Sequence, residues 1–194
     1  MEQHGKMMMM SWGKFAAMIA TSVIAMFFLM YQLVYSSEHV TFSMNRLVSS
    51  LVMGSVMTLI MLGFMWKMIE GVATKTAVLV GAVVVGIAIL AINRDQTLIG
   101  DEAFMKSMIP HHSIAINNAR KSDIRDPRVR RLANQIIESQ VEEITEMQRL
   151  LQDIDANGRL GDETLARVPA VVTPEMRAKI EQNIESATPS ASQR

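Results

Sequence analysis

DEAFMKSMIPHHSIAINNA, residues Asp101 to Ala119, is the stretch from which the rest of the chain is best read. At about 100° per residue on a helix, Asp101, Met105, Met108 and His112 fall within roughly 60° of one another and form one stripe. His111 projects to the flank of that stripe, in line with Phe104 and Ala115. A carboxylate, thioethers and imidazoles on one helix face are a ligand set that copper or another late transition metal can use. The plainer alternative is that the methionines fill a core and the two histidines are a satisfied polar pair.

Outward from this stretch the chain divides into two unlike halves. Nearly all of the charge in the 194 residues lies after the third of three apolar runs, so the formal net charge of zero is an average over unlike parts and carries no sign of nucleic-acid binding. Cysteine is absent, which excludes disulfides, zinc–thiolate sites and thiol catalysis. Methionine is abundant instead, at eighteen residues. Thioethers suit Cu(I), and they also serve as adaptable filler in cores and membranes.

The apolar runs, about 15–36, 47–66 and 76–93, are free of charge and each long enough to span a bilayer core. The first is too long for a cleaved signal peptide and no small-x-small pattern follows it. Residues 1–96 therefore read as a membrane anchor of three transmembrane helices. Lys6 and Lys14 precede the first span and Lys67 and Lys75 lie in the second loop, whereas Arg46 stands alone in the first loop. This bias predicts a cytoplasmic N-terminus. Three spans then put the first loop and everything after Arg94 outside, on the periplasmic side of a bacterial inner membrane. Trp12 and Trp66 fall at the inner boundary and Tyr31 and Tyr35 at the outer one.

Within the second span Met53, Met57, Met61, Met65 and Met68 make a ridge at helical spacing, read as a packing seam in preference to a copper path. Gly81 and Gly86 in the third span are small residues that favour close helix contact. The first outer loop carries Glu38, His39 and Met44, a weak secondary ligand patch.

Residues 97–156 predict a helical hairpin. Its first helix runs from Gly100 or Asp101 to about Lys121 with Pro110 inside it, where a bend and a freed carbonyl near Lys106 are expected. Asp126 as N-cap and Pro127 at the first helical position begin the second helix, and Asn157-Gly158 ends it. Residues 157–194 read as a largely disordered polar tail, with one short helix from Thr173-Pro174 through Ile184 and a disordered end, ATPSASQR. If the turn centres on Ile124, facing residues have numbers that sum to about 248. That register sets Asp101 near Met147, Met105 near Glu143 and Met108 near Gln140. Gln140 and Glu143 on an inward face need partners, because a buried unpaired carboxylate is costly, and a metal or a facing histidine would supply one.

The pattern D-x-x-F-M-x-x-M-I-P-H-H-x-x-A-I at Asp101 to Ile116, followed by D-P-x-V-x-x-L-A-x-x-I-I-x-x-Q-x-x-E-I-x-x-M at Asp126 to Met147, resembles the family called domain of unknown function 305. The resemblance covers roughly residues 98 to 153. It implies a ferritin-like, all-α fold and, in relatives, periplasmic binding of copper by histidine and methionine. The matching positions here are Asp101, Met105, Met108, His111, His112, Gln140, Glu143 and Met147. Ser113-Ile114 and Asn117-Asn118 depart from it, since relatives often carry glutamine and methionine there.

The expected fold is thus three transmembrane helices followed by an extramembrane hairpin that dimerises into a four-helix bundle, with the lipid bilayer, a second copy and a metal ion as partners. The expected function is to bind copper, then sequester it or hand it on, without catalysis. Cu(I) would be held by His111 or His112 with Met105, Met108 or Met147, while Glu143 and Gln140 orient the imidazoles; Cu(II) would shift weight to Asp101 and Glu143. A di-iron enzyme is the weaker alternative, because no histidine stands three residues after a glutamate. A dimerisation module without metal is the other.

Overall fold

The structure, a computed structural model, describes residues 9–161 and 165–186. The expected disordered end, ATPSASQR, and the Lys6 flank lie outside those residues. Among the described residues there are six α-helices, one 3-10 turn and no strand: α1 Trp12–Leu29, the turn Ser37–His39, α2 Met44–Phe64, α3 Val72–Asp95, α4 Asp101–Lys121, α5 Pro127–Asn157 and α6 Pro174–Ser186. The chain forms two units, one of residues up to Gln32 with Val40–Pro110, the other of Leu33–His39 with residues from His111 onward.

In the first unit α1, α2 and α3 are long and apolar enough to cross a membrane. At about 1.5 Å per residue they are roughly 27 to 36 Å long, against a hydrocarbon core of about 30 Å. Ile24, Phe28, Val56, Val84 and Ile87 are exposed, as side chains that meet lipid should be. The helices pack in series, α1 on α2 and α2 on α3. Phe15, Leu62 and Ile69 form the buried core, with Met61, Met65 and Trp66 packed against it, so part of the methionine ridge is a seam. Gly86 is the close approach expected of it: an added Cβ would sit 3.0 Å from Ser55 Cβ. Gly81 has nothing within 4 Å and plays no such part, whereas at Gly54 an added Cβ would collide with Val23.

Helix ends are set by polar groups more than by the limits of charge-free sequence. Ser11 caps α1 by accepting from Lys14 N, so the helix starts before the run expected from residue 15. It ends at Leu29, well short of residue 36, because Tyr31 turns back: its hydroxyl donates to Thr41 O at 2.9 Å and accepts from Ser43 N at 3.0 Å. Arg46 lies over the Tyr31 ring at 4.0 Å and donates to Met30 O. At the other end Lys75, 5% exposed, donates to Trp66 O at 2.8 Å and Ile69 O at 3.0 Å. The ammonium thus satisfies two carbonyls of the turn that follows α2, groups that no helix ladder meets.

Helix α4 starts and stops where expected, with Asp101 and Glu102 in its first turn and Arg120 and Lys121 in its last, charges that suit the helix dipole. It continues through Pro110. The carbonyl of Lys106, which has no N–H to meet from Pro110, accepts instead from Thr41 Oγ1 at 2.5 Å.

In the second unit Asp126 caps α5 by accepting from Arg128 N at 2.8 Å. The Arg128 side chain bonds the same carboxyl and, chiefly for that reason, holds it at about 2. Gly158, with φ 77°, ends the helix, a left-handed position open to glycine. Ile116 from α4 and Ala133, Ile144 and Met147 from α5 are buried, and burying each isoleucine contributes about 1.5–3 kcal/mol. Helix α6, capped by Thr173 Oγ1 on Met176 N, follows the expected start. Arg131 donates to Asn183 O and to Ser186 Oγ, and a groove of about 370 Å³ between α5 and α6 is lined by Val129, Leu132, Ile180 and Ile184.

Candidate functional site

The chemistry of the second unit centres on His112. Its Nε2 lies 3.0 Å from Glu143 Oε2, and the imidazole is nearly buried. Glu143 in turn accepts from Ser139 Oγ through its other oxygen, Oε1, at 2.6 Å. Burial pushes the His112 imidazole below its ordinary 6.5; the Glu143 carboxylate opposes this and neighbouring His111 adds to it. At neutral pH the ring is therefore uncharged, with its Nε2 3.0 Å from an oxygen of the Glu143 carboxylate. The other ring nitrogen, Nδ1, is buried and has no hydrogen-bond partner among the described residues.

The expected need of Glu143 for a partner is thus met by a facing histidine. The register behind that expectation is corrected: a sum of about 248 would set His112 opposite Ile136, and it meets Glu143 instead. The shift is about seven positions, two helical turns. Side chains lean toward the N-terminus of their own helix, which is away from the turn in α4 and toward it in α5. The tips that meet therefore come from an α4 residue nearer the turn and an α5 residue farther from it than the level of their Cα atoms suggests.

His111 is exposed, and its ring centroid lies 6.1 Å from that of His112 with the rings edge to face. Gln140 is half-buried on α5 and Met147 buried. Asp101, exposed, and Met105, buried, with Met108, half-buried, belong to the first unit. Among the described residues no three His, Asp or Glu side chains gather as a metal shell. A metal here would thus need thioether sulfur beside imidazole nitrogen. A neutral imidazole with a carboxylate at one nitrogen and a free lone pair at the other is the arrangement in which histidine binds metals.

The loop residues separate. Ser113, a departure from the resemblance, plays a structural part, since its Oγ accepts from Tyr35 N at 2.8 Å and lies 2.9 Å from His39 Nδ1, while Arg120 lies 5.4 Å from the Tyr35 ring centre. His39 is thus engaged with α4, whereas Glu38 is exposed and Met44 opens α2 in the first unit. Sequence reasoning passed over Ser139, although a hydroxyl four residues before a glutamate on a helix is a readable pair.

Comparison with known proteins finds likeness over part of the chain. An 82-residue stretch is 39% identical to "Uncharacterized protein L153" of Acanthamoeba polyphaga mimivirus, covering 41% of this chain and 53% of that protein. The chain thus matches about half the length of this curated relative. No solved structure matches. The family described as domain of unknown function (DUF305) matches residues 96–188, beyond the resemblance read from the hairpin and through α6. The segment 96–188, which carries the histidine pair, both hairpin helices and α6, belongs to the DUF305 family.

Proposed function

We propose that this chain is a membrane-anchored metal-binding protein that holds copper on its helical hairpin and sequesters the ion or hands it on. The observation that carries the reading is His112, nearly buried, with Nε2 3.0 Å from Glu143 and Nδ1 without a partner among the described residues. An orphaned buried acceptor costs about 1–3 kcal/mol, and a metal ion would remove that cost. His112 and His111 would supply nitrogen and Met147 sulfur, with Met105 and Met108 the thioethers carried by the same helix as the histidines. Gln140 and Glu143 would orient the rings. Copper, when bound, would supply a soft or redox-active centre; none of the chemistry proposed needs a catalytic step.

The membrane is a bacterial inner membrane in this reading, with the N-terminus cytoplasmic and the hairpin periplasmic. Lys14, Lys67 and Lys75 on one side of the spans against Arg46 on the other support that orientation. Hydrogen bonds that join Tyr35 and His39 with Ser113 suit a first loop on the same side as α4. A second copy is part of the proposal because α5 leaves Leu132, Ile136, Val141 and Leu150 exposed, and two helices hide only one seam between them.

The test is a Cu(I) titration of the full chain in detergent against a competing chelator. Replacing His111 and His112 together with alanine should lower affinity at least about a hundredfold, each decade being about 1.4 kcal/mol. Met147→Leu, which keeps volume and loses the thioether, should weaken Cu(I) more than Cu(II). Wild-type affinity in the double histidine variant, with helicity unchanged, returns the stripe to methionine core and a satisfied histidine pair, and favours a dimerisation module.

A further inference from the structure

We propose that Ser139, acting through Glu143, fixes the tautomer of His112, so that the proton sits on Nε2 and Nδ1 is the nitrogen offered to a metal ion. This rests on the copper reading for its last clause only. The Ser139 hydroxyl donates to Glu143 Oε1 at 2.6 Å, and Glu143 Oε2 lies 3.0 Å from His112 Nε2. An ionised carboxylate only accepts, and Oε1 is already taken by Ser139, so a hydrogen across the 3.0 Å contact at Oε2 belongs to Nε2. A neutral imidazole holds one proton; with Nε2 protonated, Nδ1 is left as a lone pair.

That lone pair is buried and meets no donor among the described residues. Were the proton on Nδ1 instead, two lone pairs would face each other across the 3.0 Å contact and a buried N–H would go unmet. Geometry thus selects one tautomer strongly. Ser139 enters because a glutamate that is half exposed can take several rotamers, and an i,i+4 hydroxyl on the same helix restricts them. Ser139 touches neither the ring nor any ion; it is a positioning residue. His111, whose ring centroid lies 6.1 Å away, has no hydrogen bond to Nδ1, which is without a partner among the described residues.

The experiment is long-range nitrogen–proton correlation NMR of the full chain, with labelled histidine, in detergent micelles before any metal is added. His112 should show the Nε2–H tautomer. In Ser139→Ala the ring should become a mixture of tautomers, and Ser139→Thr, which restores a hydroxyl, should return the single form. A wild-type ring that is already mixed or carries its proton on Nδ1 overturns the inference, as does an unchanged tautomer in Ser139→Ala with helicity retained. On addition of Cu(I) the Nδ1 resonance, and not Nε2, should move, and Ser139→Ala should bind Cu(I) about tenfold more weakly, the low end for groups that orient a ligand. Movement of Nε2 overturns the assignment of the ligating atom. Absence of any copper-induced change overturns the proposed function, leaving the relay to stand or fall on the metal-free tautomer.

Discussion

The two units of this chain are built inside out with respect to each other. In the first, serines and a lysine are buried, Ser50 at 0% and Lys75 at 5% exposure, while Phe28, Val84 and Ile87 face outward. In the second, the charged residues of α5 lie outside and Ile116, Ile144 and Met147 inside. The difference teaches what holds each together. Where lipid is the solvent, apolar burial gives little drive, and close approach of small residues with satisfied polar groups takes over. Where water is the solvent, apolar burial drives packing and a polar contact in the seam, such as His112 with Glu143, needs a separate reason to be there.

The comparison fails outright if the first unit is not in a membrane, which gives the largest expected effect. A reporter fused after Arg194 that works only when exported should be active, and one fused between Lys67 and Lys75 should be silent. Activity in the second fusion and silence in the first would reverse the orientation; silence in both would remove the membrane itself.

Smaller but sharper is a pair of glycine substitutions within the spans. Gly54→Ala should destabilise the first unit by about 1–3 kcal/mol, because Val23, whose β-branched side chain has few rotamers, stands where the new Cβ must go. Gly81→Ala meets nothing within 4 Å and should be neutral or gain up to about 1 kcal/mol of helix propensity. Thermal unfolding in detergent, followed by circular dichroism, checks both, and equal effects would show that the small residues do not set the packing.

The smallest effect belongs to the hairpin and depends on pH. Since burial holds His112 below its ordinary 6.5, folded and unfolded chains both keep it neutral above that pH. As pH falls below it, the unfolded chain takes up a proton that the folded one resists, so stability falls until the folded value is passed and then levels. His112→Gln should flatten this slope in a denaturant titration. A slope of the opposite sign would mean that Glu143 outweighs burial and that the pair is an ion pair.

Much of the hairpin was legible in residues a few positions apart. Asp126, Pro127 and Gly158 mark the ends of α5, Thr173 and Pro174 the start of α6, and the paired patterns around His111-His112 and Gln140 to Met147 identify the family. What misled was the assumption of level pairing about a turn centred on Ile124: it set His112 opposite Ile136, seven positions from Glu143, of which the lean of side chains accounts for about one position on each helix. The limits of α1 were misplaced for a related reason. Absence of charge says that a segment can lie in lipid, whereas the helix stops where Tyr31 finds Thr41 and Ser43.

By itself the sequence determined three apolar helices, the two helices of the hairpin, their caps, and the gathering of methionine and histidine on one stripe, because each of these follows from signals within one or two helical turns. Only the tertiary structure decided that Lys75 ties down the turn after α2, that Gly54 and Gly86 rather than Gly81 mark close contacts, that Thr41 takes up the carbonyl freed by Pro110, and that His112 faces Glu143 with Nδ1 unpaired among the described residues. Each of these joins residues far apart in the chain through atoms at the ends of side chains. Their meeting is set by how helices pack, which no local pattern encodes.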